Sequence, residues 1–412
     1  MLEVTSKDKV AGARIVVAGI GGAGGNAINR MIDENISNVE FVCINTDMQA
    51  LSNSKASKIV QIGEKTTKGL GAGADPSVGE KAAEESLDEI TQSFEGADML
   101  FVTCGMGGGT GTGAAPIIAK QAKDRGILTV AVVTKPFKFE RGDRMKNALQ
   151  GIAKLSECVD TMIVIPNEKI LAIVDKKTSI QDAFKMADEV LRQSVSGITD
   201  LITTNSMINL DFADVRTVMK DKGIAYVGIG KGKGEDKASD AVKMAVESPL
   251  LEASVDGATH LIVSVSGDIS MYDASVATEY VTELAGDNVK CIFGADYSVT
   301  EPDTCTVTVI ATGIRDDSMP SKMTSTQNVM FNSSLVRPAP IPSFGQRQQG
   351  LVQPSGLDVL QNRSTGTLPK VPSSNVQPQA PSQGYAPGIT SAADIRSNVK
   401  DNKLNIPTFL KK

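Results

Sequence analysis

The chain has 412 residues with 41% hydrophobic content, enough to build two or three folded units, and its apolar runs stop well short of the roughly 20 residues that span a bilayer. A net charge of −6 provides no basic field, so we expect no nucleic-acid binding and no membrane insertion. A single histidine, His260, excludes a His-pair metal site, and five scattered cysteines favour a reduced, cytoplasmic compartment over a disulfide framework.

Short β-branched runs alternate with helical patterns in the first part of the chain. The runs lie at residues 14–20, 41–47, 99–105, 127–134 and 161–166. Near-continuous apolar strands separated by helices predict a doubly wound, mostly parallel α/β sheet that helices cover on both faces. We assign this domain to residues 12–178 and expect residues 1–11 to form a flexible N-terminus.

Apolar residues then recur at helical spacing from Ile180 to Ile202, which predicts a long linking helix over 179–204. Alternating strand and helix patterns over 205–315 predict a second, smaller α/β domain. Within this domain the motif GKGKGED, 230–236, predicts a solvated turn.

The composition changes abruptly near residue 315, where Pro, Ser, Gln, Asn and Gly begin to dominate. A segment of this kind buries too little apolar surface to offset its ordering entropy, so we expect a disordered linker over 316–400. Residues 401–412 end in LNIPTFLKK, an apolar cluster flanked by lysines. This pattern predicts either a peptide that orders on a partner or a frayed terminus.

The first glycine cluster, GIGGAGGN at 19–26, directly follows a predicted strand and begins a helix. Glycines let the backbone approach a phosphate, and the start of a helix supplies free N–H groups and a positive dipole end. The same letters fit the G-x-G-x-x-G pattern of a dinucleotide site, in which Asp47 would bind the ribose, and they also fit a tight turn.

Two further glycine clusters follow. In GLGAGADP, 69–76, Asp75 and Pro76 fit a helix N-cap and first helical position. The three glycines indicate a loop whose backbone closely approaches another group. GMGGGTGTG, 105–113, has six glycines in nine residues, an entropic cost that a simple turn rarely carries. With the Thr110 and Thr112 hydroxyls and a helix behind it, this cluster predicts an anion cradle that differs from a P-loop.

These motifs, together with NTD at 45–47 and NLDFADVRTVM at 209–219, resemble the tubulin/FtsZ family of GTPases, of which GGGTGTG is the signature. The resemblance covers about residues 12–315 and the terminal LNIPTFLKK. It implies two domains that flank a central helix, GTP or GDP as the bound nucleotide with Mg²⁺, and protomers that stack head to tail into protofilaments. No metal ligands are assigned.

The resemblance also implies which residues form the nucleotide pocket. Phe184 and Asp188, four residues apart on the linking helix, would offer an aromatic face and a carboxylate for the guanine N1–H and 2-amino groups. Without the resemblance they would be an ordinary core residue and a solvated charge. The implied pocket comprises Gly21, Gly22, Ala23, Gly24, Gly25, Asn26, Asn45, Ala72, Gly73, Ala74, Gly107, Gly108, Gly109, Thr110, Gly111, Thr112, Gly113, Glu140, Arg144, Asn167, Phe184 and Asp188.

Two carboxylates, Asp211 and Asp214, raise the question of hydrolysis. Their spacing alone favours an N-cap and a first-turn acid of a helix. The resemblance implies instead that they and Asn209 form a catalytic loop, which docks on the nucleotide of the next subunit and polarises the attacking water. Two positions depart from the family pattern: Asp75 replaces a usual Asn, and the stretch 203–209 lacks a usual Pro-Gly.

The resemblance implies a role in cell division, with protofilaments that build the cytokinetic ring at midcell, on the inner face of the cytoplasmic membrane. The tail Leu404–Lys412 would then bind membrane-anchor and other division proteins. Two alternatives stay open. One is a tubulin-like filament GTPase of plasmid partition, and the other is a Rossmann NAD-dependent oxidoreductase, motivated by Gly19, Gly21, Gly24 and Asp47.

Overall fold

A ten-stranded sheet organises the part of the chain that the computed structural model describes, residues 12–314 without 37, 141, 172–173, 175–176, 205, 209, 248–253, 287 and 298–300. Its strand order is β3-β2-β1-β4-β5-β6-β7-β10-β8-β9. The predicted N-terminal segment, linker and tail lie outside the described residues. The strands are β1 Ile15–Ile20, β2 Val39–Asn45, β3 Lys58–Gln61, β4 Met99–Gly105, β5 Leu128–Lys135, β6 Thr161–Pro166, β7 Gly223–Lys233, β8 His260–Gly267, β9 Lys290–Tyr297 and β10 Thr304–Thr312.

Neighbouring strands run parallel, except that β10 runs antiparallel to both β7 and β8. The prediction of a mostly parallel α/β fold is therefore confirmed. The α-helices of the described residues are α1 Gly21–Asp33, α2 Met48–Ser52, α3 Glu64–Thr67, α4 Pro76–Glu85, α5 Leu87–Ser93, α6 Thr110–Asp124, α7 Gly142–Cys158, α8 Asn167–Leu171, α9 Ile180–Thr203, α10 Phe212–Met219, α11 Lys237–Val246 and α12 Met271–Ala285, and a short 3₁₀ helix spans Lys138–Glu140. In this part of the chain no helix combines the length and apolarity of a membrane span.

The sheet is doubly wound because successive residues of its central strands enter two different cores. Ile15 and Val17 of β1 belong to one buried cluster, whereas Val16 and Ala18 belong to the other. Alternate side chains of a strand point to opposite faces, so both faces of β1 must be covered by helices. The first cluster includes residues of α1 and α9, and the second includes residues of α4, α5, α6 and α7.

Helix α9 is the predicted long linking helix. It begins after Ser179, whose hydroxyl accepts a hydrogen bond from the Asp182 amide at 3.1 Å, and it runs for 24 residues. Its buried stripe contains Ala187, Leu191, Val195 and Ile198, whose spacing places them on one face. Ile180, predicted as part of this stripe, is 67% exposed. The stripe therefore meets the core only beyond the first turn.

Strand β7 corrects part of the prediction of a solvated turn at the motif GKGKGED: residues 234–236 form a turn, but 230–233 belong to the strand. The strand continues through Gly230 and Gly232 to Lys233. A Cβ atom on Gly228, Gly230 or Gly232 would overlap a backbone carbonyl oxygen of α11. Because alternate residues of a strand share a face, these glycines form a flat track on which the helix backbone lies. The glycines thus serve close packing, while the intervening lysines made the motif look like a loop.

We therefore expect Gly230→Ala to lower the free energy of unfolding by about 2 kcal/mol, because the added methyl group must push α11 away from the sheet. Gly12→Ala is the matched control, since a Cβ atom there meets no atom within 4 Å. Denaturant unfolding monitored by circular dichroism gives the comparison. Equal midpoints for the two variants would contradict the close packing of α11 on β7.

Candidate functional site

The carboxyl ends of the parallel strands place two glycine clusters side by side. The strand order reverses between β1 and β4, and ligands of open α/β sheets bind at such a switch point. Helix α1 begins directly after β1, and α6 begins a short loop after β4. A Cβ atom on Gly21, whose φ is +71°, would lie 3.0 Å from the amide nitrogen of Gly111. Two helix N-termini therefore converge, and their free N–H groups and dipoles favour an anion.

The second glycine cluster lies against the third. A Cβ atom on Gly109 would be 2.7 Å from the Cβ atom of Ala72 and 3.0 Å from the Asp75 amide nitrogen. This contact accounts for the close approach that the sequence GLGAGADP predicts. Around it, a Cβ atom on Gly22, Gly73 or Gly108 would meet no atom within 4 Å. These three glycines leave space that a ligand can fill.

The hydroxyl groups of Thr110 and Thr112 form hydrogen bonds within the loops around the site. Thr110 Oγ1 lies 2.7 Å from Thr46 Oγ1, and Thr112 Oγ1 accepts a hydrogen bond from the Gly107 amide at 2.8 Å. Both threonines of the cluster are buried. Asn45 similarly accepts the Thr46 amide through its side-chain oxygen at 2.8 Å. These contacts hold the shape of the loops, so the open backbone is what remains to hold an anion.

Glu140 and Arg144, both members of the implied pocket, form an ion pair. Arg144 Nε lies 3.2 Å from Glu140 Oε2, and Glu140 Oε1 accepts the Phe137 amide at 2.9 Å. Gly107 has a φ of +101°, and a Cβ atom there would lie 2.6 Å from the Arg144 carbonyl oxygen. The structure thus brings the backbone and Cγ atom of Arg144 beside the third glycine cluster, while its half-exposed guanidinium group is paired with Glu140.

Phe184 and Asp188 lie on α9 at the other end of this site. The Phe184 ring meets the Phe137 ring edge to face, with centroids 5.3 Å apart, and the side chain is 39% exposed. It is therefore not an ordinary core residue. Burial raises the pKa of Asp188 from its usual value of 3.8 to about 7, and the positive charge of Arg30 opposes that rise. Asp188 is therefore not a solvated charge either.

Arg30, Phe137 and Phe139 were not predicted from the sequence, and neither was the burial of the Asn167 side chain. Arg30 lies one helical turn beyond Asn26 on α1, a spacing that could have revealed it. Phe137 stacks on Phe139 with centroids 4.9 Å apart, directly after β5. Asn167 is only 4% exposed, and its Oδ1 atom has no hydrogen-bond partner among the described residues. A buried amide oxygen of this kind needs a donor, which a bound ligand can supply.

Three aspartates are helix caps: Asp75 and Asp211, for which capping was predicted, and Asp47, for which it was not. Asp47 Oδ1 accepts the Gln49 amide, Asp75 Oδ1 accepts the Ser77 amide, and Asp211 Oδ1 accepts the Asp214 amide, each at 2.8 Å. The hydrogen bonds with Ser77 also lower the pKa of the Asp75 carboxyl. Asp47, which a dinucleotide site would use to bind the ribose, thus caps the start of α2 instead.

The structure does not bring Asp211 and Asp214 to the glycine clusters. Helix α10 is held at the amino ends of the strands: Arg216 donates to the Gly126 carbonyl at 3.0 Å, just before β5, and Thr161 at the start of β6 donates to the Met219 carbonyl. Strand β5 has eight residues, so the two edges of the sheet are about 25 Å apart. Asn209, the third predicted catalytic residue, lies outside the described residues.

A cavity of about 280 Å³ lies between α9 and the residues that precede α10. Ile208 and Leu210 line it on one side, and Asp200 and Leu201 line it on the side of the helix. Asp200 and Leu201 lie more than two helical turns beyond Asp188 along α9, on the side away from Phe184. These contacts therefore place helix α10 and the glycine clusters at opposite edges of the sheet.

Comparison with known proteins identifies similar families and structures. The description "Tubulin/FtsZ family, GTPase domain" matches residues 14–175, and "FtsZ family, C-terminal domain" matches residues 223–315. An empty FtsZ dimer of M. jannaschii is 46% identical, covers 74% of this chain and 89% of its own, and has a TM-score of 0.70. GDP-bound CetZ1 from Haloferax volcanii has a TM-score of 0.65 at 21% identity, covering 74% and 95% of the two chains, so it shows a common fold.

The raised pKa of Asp188 predicts a pH-dependent stability. The folded state takes up a proton near pH 7 and the unfolded state near pH 4, so the stability that protonation provides is full below pH 4 and is lost as the pH rises through 7. Asn at this position is neutral throughout. We therefore expect Asp188→Asn to melt at a higher temperature than the wild type at pH 8, with the difference disappearing near pH 4.

The control for this prediction is Asp182→Asn in the same helix. Hydrogen bonding to Ser179 lowers the pKa of Asp182, so its carboxylate stabilises the fold at pH 8 and the substitution is expected to lower the melting temperature. Thermal melts of both variants at several pH values test the opposite signs. A melting difference for Asp188→Asn that stays constant between pH 4 and pH 8 would disprove the prediction.

Proposed function

This chain belongs to the tubulin/FtsZ family of GTPases, and from that premise we propose that it polymerises head to tail and completes GTP hydrolysis across the junction between two subunits. The observation that carries the proposal is the separation of Asp211 and Asp214 from the glycine clusters. One chain holds an anion site at one end and a pair of acids at the other. A head-to-tail contact brings the acids of one subunit to the nucleotide of the next.

In this proposal the two helix N-termini and the open backbone at Gly22, Gly73 and Gly108 hold the triphosphate. Arg144 adds a positive charge beside the third glycine cluster. The family assignment and the pocket-side position of α1 and α6 support this arrangement. No lysine of the P-loop type is needed, because amide groups and helix dipoles supply the positive potential.

Guanine is recognised, we infer, at the end of the pocket that holds Asp188. One carboxylate accepts both the N1–H and the 2-amino hydrogen of guanine, whereas adenine offers no such pair of donors. The ring would lie against Phe184, and the unpartnered oxygen of Asn167 would accept a further hydrogen from the nucleotide. Because only the ionised carboxylate is a double acceptor, guanine binding favours loss of the Asp188 proton.

Hydrolysis requires a water aligned with the γ-phosphate, and Asp211 and Asp214 of the adjacent subunit would polarise it. Carboxylates repel a bound triphosphate unless they hold a water or a cation between them. Acids tied to the opposite edge of the sheet from the pocket therefore suit a protein that binds GTP as a monomer and hydrolyses it after assembly. Asn209 is proposed to lie beside the two acids.

We expect Mg²⁺ to bind together with the triphosphate. The described residues contain no group of three or more His, Cys, Asp or Glu side chains that could hold a metal ion. Mg²⁺ keeps several waters and binds readily to phosphate oxygens. The donors present therefore fit an ion held mainly by phosphate and water, in which role it would neutralise part of the phosphate charge.

The wider role we propose is that of the protofilament of the cytokinetic ring, in the cytoplasm at midcell, with Leu404–Lys412 binding membrane-anchor and other division proteins. The FtsZ of M. jannaschii, 46% identical, is a dimer in its solved structure, which supports self-association. The match to an FtsZ C-terminal domain favours this role over plasmid partition. The oxidoreductase alternative is wrong, because residues 14–175 match a GTPase domain.

Assembly is tested by sedimentation. We expect the purified protein to pellet in GTP and to remain in the supernatant in GDP, because the γ-phosphate completes the surface on which the next subunit docks. Asp211→Ala is expected to pellet in GTP as the wild type does, while its turnover falls about a hundredfold. Equal pelleting in GTP and GDP would argue against nucleotide-controlled assembly.

Action in trans is tested by mixing two inactive variants. Gly108→Glu places a carboxylate in open space within the pocket, so it repels the triphosphate without crowding the protein. Its intact acids should serve the nucleotide bound to an Asp211→Ala neighbour, and the mixture should turn over GTP well above either variant alone.

The matched control mixes Asp211→Ala with Asp214→Ala, two variants with intact pockets and defective acids. This mixture should gain nothing, since no junction contains both acids. Absence of recovery in the first mixture, with both variants present in the pellet, would rule out hydrolysis across the junction.

A further inference from the structure

A small backbone bridge connects the residues before α10 to the edge of the sheet. The Ile208 amide donates to the Ala295 carbonyl at 2.9 Å, and the Ala295 amide donates to the Ile208 carbonyl at 3.2 Å. Ala295 belongs to β9, the last strand in the sheet order, which pairs with β8 along its other side. The backbone just ahead of Asp211 is therefore tied to β9 by two hydrogen bonds.

Leu210 adds a side-chain contact to this bridge. It is 3% exposed and lies over Gly294: a Cβ atom on Gly294 would be 3.0 Å from Leu210 Cδ1 and 3.1 Å from Leu210 Cγ. Gly294 has no positive φ, so its backbone conformation would accept any residue. Space for Leu210 is what requires glycine at this position.

Strand β9 is therefore one support of the segment that leads into α10. Towards α9, Ile208 and Leu210 line the cavity of about 280 Å³. The far end of α10 is held separately, where Thr161 donates to the Met219 carbonyl and Thr312 donates to the Val218 carbonyl at 2.6 Å. The contact between Leu210 and Gly294 is therefore a contact on the side of α10 where Asp211 and Asp214 lie.

We propose that Gly294 is a positioning residue for hydrolysis: by letting Leu210 seat closely on β9, it sets how far Asp211 and Asp214 reach towards the nucleotide of the neighbouring subunit. The inference rests on the proposed function, because the acids act on the neighbour only in that scheme. Gly294 itself touches neither nucleotide nor water. It acts through Leu210 and the N-cap of α10.

The expected effects follow from the geometry. A methyl group on Gly294 must displace Leu210 by a few tenths of an ångström, and a valine must displace it further. Misplacement of catalytic groups by about 1 Å can cost about a hundredfold in rate. We therefore expect Gly294→Ala to lower kcat about fivefold and Gly294→Val about fiftyfold, while KM for GTP and pelleting in GTP stay within twofold of the wild type.

The control is Cys291→Ala, a truncation on the same strand away from Ile208 and Leu210, which should leave kcat unchanged. Turnover is measured per pelleted subunit, together with KM and the melting temperature. If the Gly294 variants lose pelleting or thermal stability while kcat is unchanged, Gly294 has only a structural role, and the inference is overturned. Unchanged kcat in both Gly294 variants would overturn it as well.

A second substitution tests whether Leu210 transmits the effect. Leu210→Ala removes the atoms that a methyl group on Gly294 would meet, so Gly294→Ala adds no further loss of kcat in that background. Independent, multiplicative losses in the double variant would contradict the proposed contact.

Mixing separates failure of the inference from failure of the proposed function. Gly294→Val retains an intact pocket, so Gly108→Glu subunits should restore turnover at its nucleotide. If kcat of Gly294→Val is low and the mixture recovers nothing, hydrolysis in trans fails; Gly294 then still positions the acids, but not for the nucleotide of a neighbour. If kcat is unchanged, the positioning role fails whatever the mixture does.

Discussion

Close approach of backbone to backbone at the starts of α1 and α6 is the constraint on which the rest of this structure depends. Gly21 lies against Gly111, and Gly109 lies against the loop that contains Ala72. A side chain at any of these glycines would separate the helix starts from each other or from the loop. Because exposed amides and converging dipoles create the anion site, its positive potential depends on these contacts.

The same sheet that builds the anion site also separates it from the acids. Parallel strands present all their carboxyl ends at one edge, and α10 is tied to the opposite edge through Arg216 and Thr161. The anion site lies at one edge of the sheet and the carboxylates of α10 are tied to the other. The two edges therefore differ in charge. Such polarity suits head-to-tail association, in which each contact is heterologous and the chain of subunits does not close.

Particular residues show how far the sequence alone could lead. The strands β1, β4, β5 and β6 were predictable because they are near-continuous apolar runs, whereas β3, Lys58–Gln61, is a four-residue edge strand whose Ile59 is half exposed. Residues 230–233 of the motif GKGKGED were predicted as a turn but form a strand, and only the position of α11 reveals why glycines alternate with lysines there. Phe137 escaped notice because its partner Phe184 lies 47 positions along the chain.

The sequence by itself determined what depends on neighbouring residues: the glycine-rich starts of α1 and α6, the caps at Asp75 and Asp211, and the period of α9. Tertiary structure alone decided that Asp188 is buried enough to have a pKa of about 7 and that the acids lie far from the pocket. The physical reason is that desolvation and distance are set by segments remote in sequence. Hydrogen bonds within one helical turn need no such partners.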